Sequence, residues 1–208
     1  MKRCVIVGGA DILDYENAKQ YLKDDDFFIF CDCGLRHAPC LGAEPSLIVG
    51  DFDSSVNPEL EVETIVLPRE KDDTDTVFAV KEAIKRGFED FLLLGVIGQR
   101  LDHTLGNVSI LKMLFDRGFS ALIADDYSEM QAVGNKSVEI PCTFPYFSLL
   151  NIFGKTTGIS IKNAKYPLEN AEISCDYQYG VSNEVLKGKK AEVRVEDGCL
   201  LLVKVKKM

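Results

Sequence analysis

The feature that most constrains this fold is a series of short, wholly apolar segments that alternate with helix-like segments through the first 126 residues. The apolar segments predict strands at residues 3–7, 27–31, 47–49, 63–67, 91–94 and 121–124. Strands without polar alternation are typical of parallel sheets that helices cover on both sides. We therefore predict an α/β fold, with a mainly parallel sheet and helices on both faces.

Helical spacing of apolar residues marks the connections between these strands. It predicts helices over residues 14–22, 74–86 and 101–115, and a short helix from about residue 34 to 41. In the third of these, Leu101, Leu105 and Val108 begin an apolar stripe on one face. Gly87 and Gly118 follow the second and third helices, where glycine commonly ends a helix.

The pattern changes after residue 126 to short alternating segments separated by glycine, proline and asparagine. Strands are predicted at residues 148–153, 159–161, 171–175, 191–195 and 199–205. Asp197-Gly198 between the last two predicts a hairpin. We expect two domains: residues 1–126, and residues 127–208 as a small antiparallel β-sandwich or partial barrel.

Charge and cysteine content narrow the possible functions. The net charge is −9, with −11 in residues 1–126 and +2 in residues 127–208, so a broad nucleic-acid-binding surface is not expected. The sequence has no apolar run near the roughly 20 residues that span a membrane. Seven cysteines without framework spacing favour a reducing, cytoplasmic location.

A pair of carboxylates follows the third predicted strand, in the segment Gly50-Asp51-Phe52-Asp53-Ser54. Residues i and i+2 of extended chain point to one face, so Asp51 and Asp53 would converge just beyond the strand. Mg²⁺ takes oxygen ligands, usually one or two carboxylates and substrate phosphates. The sequence thus suggests a magnesium site, with a solvated acidic loop as the alternative.

A second acidic segment, Lys71-Asp72-Asp73-Thr74-Asp75, opens the helix at residues 74–86. Asp72 and Asp75 are three residues apart, which would place both on one helical face. Asp75 is a candidate third carboxylate for the metal, and Lys71 is a candidate phosphate contact. The alternative is an ordinary helix N-terminus, where acidic residues and threonine are common.

Two further segments lie where a strand is expected to end and a helix to begin. Gly98-Gln99-Arg100-Leu101-Asp102-His103 places glycine and arginine where phosphates bind well. Asp102 is a candidate catalytic residue or a helix cap. For His103, a structural role is the simpler interpretation. Asp32-Cys33-Gly34 suggests a contact to a ribose hydroxyl or metal-bound water, or again a helix cap. Open α/β sheets bind ligands at this edge.

The residues Cys31, Cys33, His37 and Cys40 have types that suit zinc. A strand followed by a helix would scatter these four side chains, which makes a structural zinc site the weaker interpretation.

Taken together, these motifs resemble those of thiamin pyrophosphokinases of the bacterial type. The matching segments occur in family order over nearly the whole chain: Asp32-x-Gly34, 50–54, 71–75, Gly98-x-Arg100-x-Asp102-His103-x-x-x-Asn107 and Ser182-Asn183-Glu184. The resemblance implies an N-terminal α/β domain that binds ATP and Mg²⁺, and a C-terminal β domain that binds thiamin. It also implies a homodimer with active sites at the subunit interface, and transfer of the pyrophosphoryl group of ATP to thiamin.

The resemblance also implies a role for each matching residue. Metal ligands would be Asp51, Asp53 and Asp75, which with Arg100 and Asp102 form the implied catalytic set. Nucleotide contacts would be Asp32, Lys71, Asp72, Thr74, Arg100 and Asn107. Thiamin contacts would be Ser182 and Asn183.

The chain departs from the family pattern in two respects. Cys33 stands where the family usually has glycine, so the backbone there is expected to be less free. Some relatives stack thiamin on tryptophan, and this chain has none, so Tyr177 or Tyr179 is a candidate substitute. The alternatives are a same-fold pyrophosphokinase acting on a pterin alcohol, a metal-dependent phosphohydrolase, and a non-catalytic nucleotide- or zinc-binding module.

Overall fold

The computed structural model describes residues 2–52, 60–98 and 100–206. Contacts divide the chain into two compact units, Met1–Asp126 and Tyr127–Met208. In the described ranges no helix is long and apolar enough to cross a bilayer.

The first unit contains a parallel sheet whose strands rise from the apolar segments of the sequence. The strands are β1 (Cys4–Val7), β2 (Phe27–Cys31), β3 (Leu47–Gly50), β4 (Thr64–Val66), β5 (Asp90–Leu94) and β6 (Ser120–Ala124). Their order is β4-β3-β2-β1-β5-β6, and every neighbouring pair is parallel. Strands β1, β2, β3 and β5 are almost wholly buried, which confirms the predicted mainly parallel sheet.

Helices cover both faces of this sheet. They are α1 (Tyr15–Lys19), a 3₁₀ helix (Asp32–His37), α2 (Ala38–Leu41), α3 (Asp75–Lys85) and α4 (Leu101–Phe115). On one face, Ala18 of α1 and Leu41 of α2 share a core with Val5 and Val7 of β1. Alternate strand residues point to the other face, where α3 contacts β1, β2 and β3 and α4 contacts β6.

The ends of α3 and α4 show where sequence pattern and structure differ. The Thr74 hydroxyl accepts a hydrogen bond from Val77 N at 3.3 Å and caps α3, so the helix begins one residue later than predicted. Helix α4 has the predicted bounds, but Leu101 and Leu105 are 66% and 60% exposed. The apolar stripe therefore becomes a core contact only from Val108 onward.

The second unit is all-β. Its strands are β7 (Ser128–Val133), β8 (Val138–Pro141), β9 (Tyr146–Leu150), β10 (Thr156–Lys162), β11 (Leu168–Ile173), β12 (Lys190–Arg194) and β13 (Leu200–Val205). Strand β13 pairs antiparallel with β7 and β9, while the other sheet has the antiparallel order β11-β10-β12-β8. Phe147 and Leu202 from one sheet share a core with Ile161 and Val193 from the other, which confirms the antiparallel sandwich.

The predicted hairpin at Asp197-Gly198 is wrong. Strand β12 pairs with β10 and β8, whereas β13 pairs with β7 and β9, so this turn carries the chain from one sheet to the other. Gly198 has a φ of 93°, and a Cβ there would lie 2.5 Å from Lys155 O. A tight turn was correctly indicated, but turn residues alone do not say whether the flanking strands pair.

Candidate active site

A cleft of about 500 Å³ opens in the first unit at the carboxyl ends of β1, β2 and β5. Its lining comprises residues 8–11, Cys31, Asp32, Cys33, Arg36, residues 74–76, Gly95, Val96, Gly98, Arg100, His103, Thr104 and Asn107. This is the edge at which parallel α/β sheets bind ligands, because strand ends and helix starts meet there.

Two loops form the floor of the cleft: the first glycine loop (residues 8–11, after β1) and the second glycine loop (residues 95–98, after β5). Their backbones nearly touch, since a Cβ on Gly8 would lie 2.6 Å from Gly95 O and one on Gly95 would lie 2.6 Å from Gly8 O. Ala10 N also donates to Gly95 O at 2.8 Å. Only glycine fits at this crossing, and the resulting bare backbone lets a ligand approach closely.

Side chains of α4 hold the second glycine loop in place. The Thr104 hydroxyl accepts from Gly98 N at 3.1 Å and lies 3.2 Å from Gly98 O. Asn107 is buried and donates through Nδ2 to Val96 O at 2.7 Å. Asn107 is predicted to contact the nucleotide. It lines the cleft, and its hydrogen bond to Val96 O holds the second glycine loop.

The segment after β2 brings Asp32 and Cys33 to the cleft wall. Asp32 has a φ of 43°, so the left-handed position falls on Asp32 and not on Cys33. A Cβ on Gly34 would collide with Val7 O, which makes Gly34 the position that needs glycine. The Cys33 thiol donates to Asp32 Oδ2 at 3.3 Å. The restriction expected at Cys33 is therefore absent, since its own φ is not positive.

A partly buried charge cluster of Asp51, Lys71 and Asp75 adjoins the cleft, which Asp75 lines. The Lys71 ammonium lies 2.6 Å from Asp51 Oδ2 and 2.7 Å from Asp75 Oδ1. The three side chains are 16%, 13% and 22% exposed, in the order Lys71, Asp51, Asp75. Lys71, predicted to reach a phosphate, instead joins the two carboxylates.

The pKa values in this cluster follow from burial and charge. Burial raises the pKa of Asp75, and Asp51 and Asp32 raise it further, although Lys71 acts in the opposite direction. For Lys71, burial opposes the charge, but Asp51 and Asp75 outweigh it and the pKa is raised. The charged form of the Asp75 carboxylate is therefore destabilised in the folded protein, and a second cation nearby would stabilise it.

The cluster fits a divalent cation in its chemistry. Asp75 Oδ1 is buried, and its closest charged partner is the Lys71 ammonium at 2.7 Å. Two carboxylates already converge on one positive charge, which is what shared coordination requires. Asp53, the other predicted ligand, lies outside the described residues. Within the described residues, no group of three or more His, Cys, Asp or Glu side chains could hold a metal.

Arg100 and Asp102 form an exposed pair at the start of α4. Arg100 Nη2 donates to Asp102 Oδ2 at 2.6 Å and Nε donates to Oδ1 at 3.0 Å. The side chains are 70% and 65% exposed. The hydrogen bonds from Arg100 lower the pKa of Asp102 well below its ordinary value. In this arrangement Asp102 is a weak base, and its geometry suits orientation of another group better than proton removal.

The remaining acidic residues before α3 face elsewhere. Asp73 pairs with Lys81 at 2.6 Å on the surface. Asp72 is exposed and precedes the helix, so the prediction that Asp72 and Asp75 share a helical face is wrong. Asp72 is also absent from the cleft lining, whereas Thr74 lines it while capping α3.

In the second unit, the predicted thiamin contacts lie close together in sequence. Asn183 is buried: its Oδ1 accepts from Tyr166 N and Glu184 N at 3.0 and 2.9 Å, and its Nδ2 donates to Tyr166 O at 2.7 Å. Neighbouring Ser182 is exposed with a φ of 56°. Asn183 thus fixes the backbone that presents Ser182, and its predicted thiamin contact stays a prediction.

Two tyrosines precede this segment as an exposed pair. The ring centroids of Tyr177 and Tyr179 are 5.3 Å apart at an interplanar angle of 43°. The Tyr179 hydroxyl donates to Glu172 O, which anchors the outer end of its ring. The pair offers aromatic surface of the kind that stacks on a flat cationic ring.

The zinc interpretation has no support in the geometry. Cys31 is buried in β2, and His37 is buried with its Nδ1 2.8 Å from the Tyr15 hydroxyl and its Nε2 3.0 Å from Ala10 O. Burial lowers the pKa of His37.

Sequence reasoning missed Asp11, Arg36 and Thr104 as cleft residues. One sequence feature could have indicated Arg36 as a cleft residue: it lies two residues after Gly34, in the segment that follows a strand.

Two family models match the chain. The model described as "Thiamin pyrophosphokinase, catalytic domain" matches residues 18–123, and "Thiamin pyrophosphokinase, vitamin B1 binding domain" matches residues 135–200. Among curated relatives, a thiamine pyrophosphokinase of Bacillus subtilis is 26% identical over 194 residues, covering 89% of this chain and 91% of the relative. Thiamin pyrophosphokinase 1 of Caenorhabditis elegans is 28% identical over 153 residues, covering 68% of this chain and 63% of the relative.

Solved structures agree on the fold. The crystal structure of thiamine pyrophosphokinase from Bacillus subtilis superposes with a TM-score of 0.85 at 22% identity over 100% of both chains. That of thiamin pyrophosphokinase from Geobacillus thermodenitrificans superposes with a TM-score of 0.82 at 25% identity, covering 99% of this chain and 98% of the other.

Proposed function

The chain belongs to the thiamin pyrophosphokinase family, and we propose that it transfers the pyrophosphoryl group of ATP to the hydroxyl of thiamin, releasing thiamin diphosphate and AMP. The observation that carries this function is the cleft at the carboxyl edge of the parallel sheet. It lies in the first unit, in which the catalytic-domain model matches residues 18–123, and it combines bare backbone, a carboxylate cluster and Arg100.

The two units would bind different substrates. Residues 1–126 would bind ATP and Mg²⁺, and residues 127–208 would bind thiamin and form the dimer contact. The match of the vitamin B1 binding model to residues 135–200 supports the second assignment. A homodimer with active sites at the subunit interface remains part of the proposal.

The metal site would consist of Asp51, Asp53 and Asp75. When bound there, Mg²⁺ supplies positive charge to the phosphate oxygens and to the leaving AMP. The burial of Asp75 Oδ1 beside Lys71 supports this assignment, because it places a carboxylate oxygen where a cation already lies. Lys71, which now joins Asp51 and Asp75, would be displaced toward a phosphate once the carboxylates have another cation.

The other residues would position the reacting groups. The two glycine loops let the phosphates approach the backbone, and Asp32 and Thr74 border the same cleft. Arg100 would move from Asp102 to the migrating pyrophosphoryl group, where a guanidinium fork stabilises developing charge. Asp102 would then be free to orient the thiamin hydroxyl.

In the second unit, Ser182, Asn183 and Tyr179 would form the thiamin subsite. The exposed tyrosine pair supports this, because thiamin is a cation with flat rings and aromatic faces attract such cations. A cytoplasmic location is also part of the proposal, supported by seven cysteines that form no disulfide in the described residues.

The test follows both transferred phosphorus atoms. ATP labelled at the β and γ positions should pass both labels to thiamin in the presence of Mg²⁺, with one AMP formed for each product. Pterin alcohol and a reaction without acceptor serve as controls. Transfer of the γ label alone, or AMP release that does not depend on thiamin, would refute the proposal.

A further inference from the structure

Arg36 links two hydrogen-bond acceptors on the wall of the cleft, a backbone carbonyl and a carboxylate. Its Nη2 donates to the Gly9 carbonyl oxygen at 2.9 Å and to Asp11 Oδ1 at 2.6 Å. All three residues line the cleft, and the Arg36 and Asp11 side chains are 50% and 59% exposed. The linkage therefore borders the space where the proposed nucleotide would lie.

The backbone that carries Arg36 is held firmly. The adjacent His37 is buried and bonded on both ring nitrogens, to the Tyr15 hydroxyl and to Ala10 O. Arg36 and His37 thus form hydrogen bonds with two successive carbonyl oxygens of the first glycine loop, those of Gly9 and Ala10. Arg36 does not depend on its ion pair with Asp11 to stay beside this loop.

A carbonyl oxygen and a carboxylate on the wall of a cleft disfavour the binding of an anion there. Each would repel a triphosphate at short range, in a site with lower effective dielectric than water. The positive charge of Arg36 offsets both groups at once, and its Nη2 donates a hydrogen bond to each of them. A larger negative charge on the nucleotide makes this compensation more important.

We propose that Arg36 is a positioning residue that shields the Gly9 carbonyl and the Asp11 carboxylate from the nucleotide phosphates, and so makes nucleotide affinity depend on phosphate charge. The inference rests on the proposed function for the presence of ATP in the cleft. It assigns to Arg36 and Asp11 a role that the family motifs do not include in this chain.

Equilibrium binding of adenosine, AMP, ADP and ATP tests the shield by calorimetry without thiamin. Arg36→Gln should weaken ATP binding by roughly tenfold, ADP and AMP progressively less, and leave adenosine unchanged. Adding Asp11→Asn to Arg36→Gln should restore most of the loss, and added salt should shrink the difference. Lys81→Gln is the matched control, since it releases the carboxylate of Asp73 away from the cleft lining and should change none of the four affinities.

Asp11→Asn alone gives a second test that does not require the arginine variant to fold. It leaves the Arg36 charge uncompensated, so ATP should bind several-fold more tightly while adenosine does not change. Equal weakening of adenosine and ATP in Arg36→Gln would reduce Arg36 to a structural role and overturn the proposal. Failure of Asp11→Asn to restore ATP binding, or to strengthen it alone, would also overturn it.

The proposed function can fail separately. A protein that binds ATP but forms no thiamin diphosphate would contradict that function, and the charge dependence of binding would still decide the role of Arg36. A protein that binds none of the four nucleotides would refute both.

Discussion

The two charged groupings beside the cleft differ mainly in burial. Lys71 and its carboxylates are no more than 22% exposed, whereas Arg100 and Asp102 are at least 65% exposed. Buried charges depend on their partners, since removing one leaves the others uncompensated, while exposed pairs contribute little to stability. We therefore expect substitutions in the partly buried cluster to alter both stability and activity, and substitutions in the exposed pair to alter mainly activity.

The largest effect is expected from Asp75→Asn. Loss of a metal ligand should lower kcat/KM by about a thousandfold or more, because the cation contributes several kcal/mol to transition-state stabilisation. The measurement is thiamin-dependent AMP release over a range of Mg²⁺ concentrations. Asp73→Asn, which alters a surface pair two residues away, is the control and should retain normal activity. Similar losses in both variants would contradict the metal assignment.

Arg100→Ala should lower kcat by about a hundredfold, as expected when one donor to a developing charge is removed. The free energy of unfolding should change by less than about 0.5 kcal/mol, because the pair is exposed. Urea denaturation and AMP-release assays measure the two quantities. Lys112→Ala removes another exposed pair on α4 and should change neither. A large loss of stability in Arg100→Ala would remove the contrast between the two groupings.

Lys71→Met should destabilise the protein by about 2 kcal/mol without metal, less than for a fully buried pair because its partners are partly exposed. Asp51 and Asp75 would then repel each other, and Mg²⁺ should raise the melting temperature more in the variant than in the unmodified protein. Thermal unfolding with and without Mg²⁺ makes this comparison. The reference variant is Lys81→Met, and equal metal effects in the two would argue against a shared cation position.

The smallest expected effect is an opposite pH dependence of the two aspartates in metal-free protein. The raised pKa of Asp75 means that its contribution to stability is present below the ordinary value of 3.8 and is lost as the pH rises through the folded-state pKa. Asp102 has a lowered pKa, so its contribution is present above 3.8 and is lost on acidification. Denaturation of Asp75→Asn and Asp102→Asn between about pH 3 and 7 should give slopes of opposite sign relative to the unmodified protein. Slopes of the same sign would contradict the opposite pKa shifts of the two carboxyls.

Much of the first unit could be predicted because its signals are local. Buried parallel strands are wholly apolar, and their carboxyl ends necessarily share an edge, so Asp32, Asp75 and Arg100 could be placed near one another from sequence alone. The exposure of Leu101 and Leu105 could not be predicted, because helical spacing defines a face but not how much of its length meets the core.

The second unit shows a different limit. Strands β7 and β8 were not predicted, and the pairing of β13 with β7 joins residues far apart in the sequence. Strand pairing of this kind depends on the packing of the whole sandwich. The linkage of Arg36 to Gly9 and Asp11 was missed for the same reason, since the partners lie 27 and 25 residues away.

The central place of β13 between β7 and β9 has a consequence for synthesis on the ribosome. The parallel sheet of the first unit has all its strands once Ala124 has emerged, so that unit can begin to fold while translation continues. The β7–β13–β9 arrangement must wait for Leu200–Val205, and until then β7 and β9 each lack the neighbour that joins them. During that interval their unpaired edges can pair with other nascent chains, so this unit is exposed to aggregation for longer than the first.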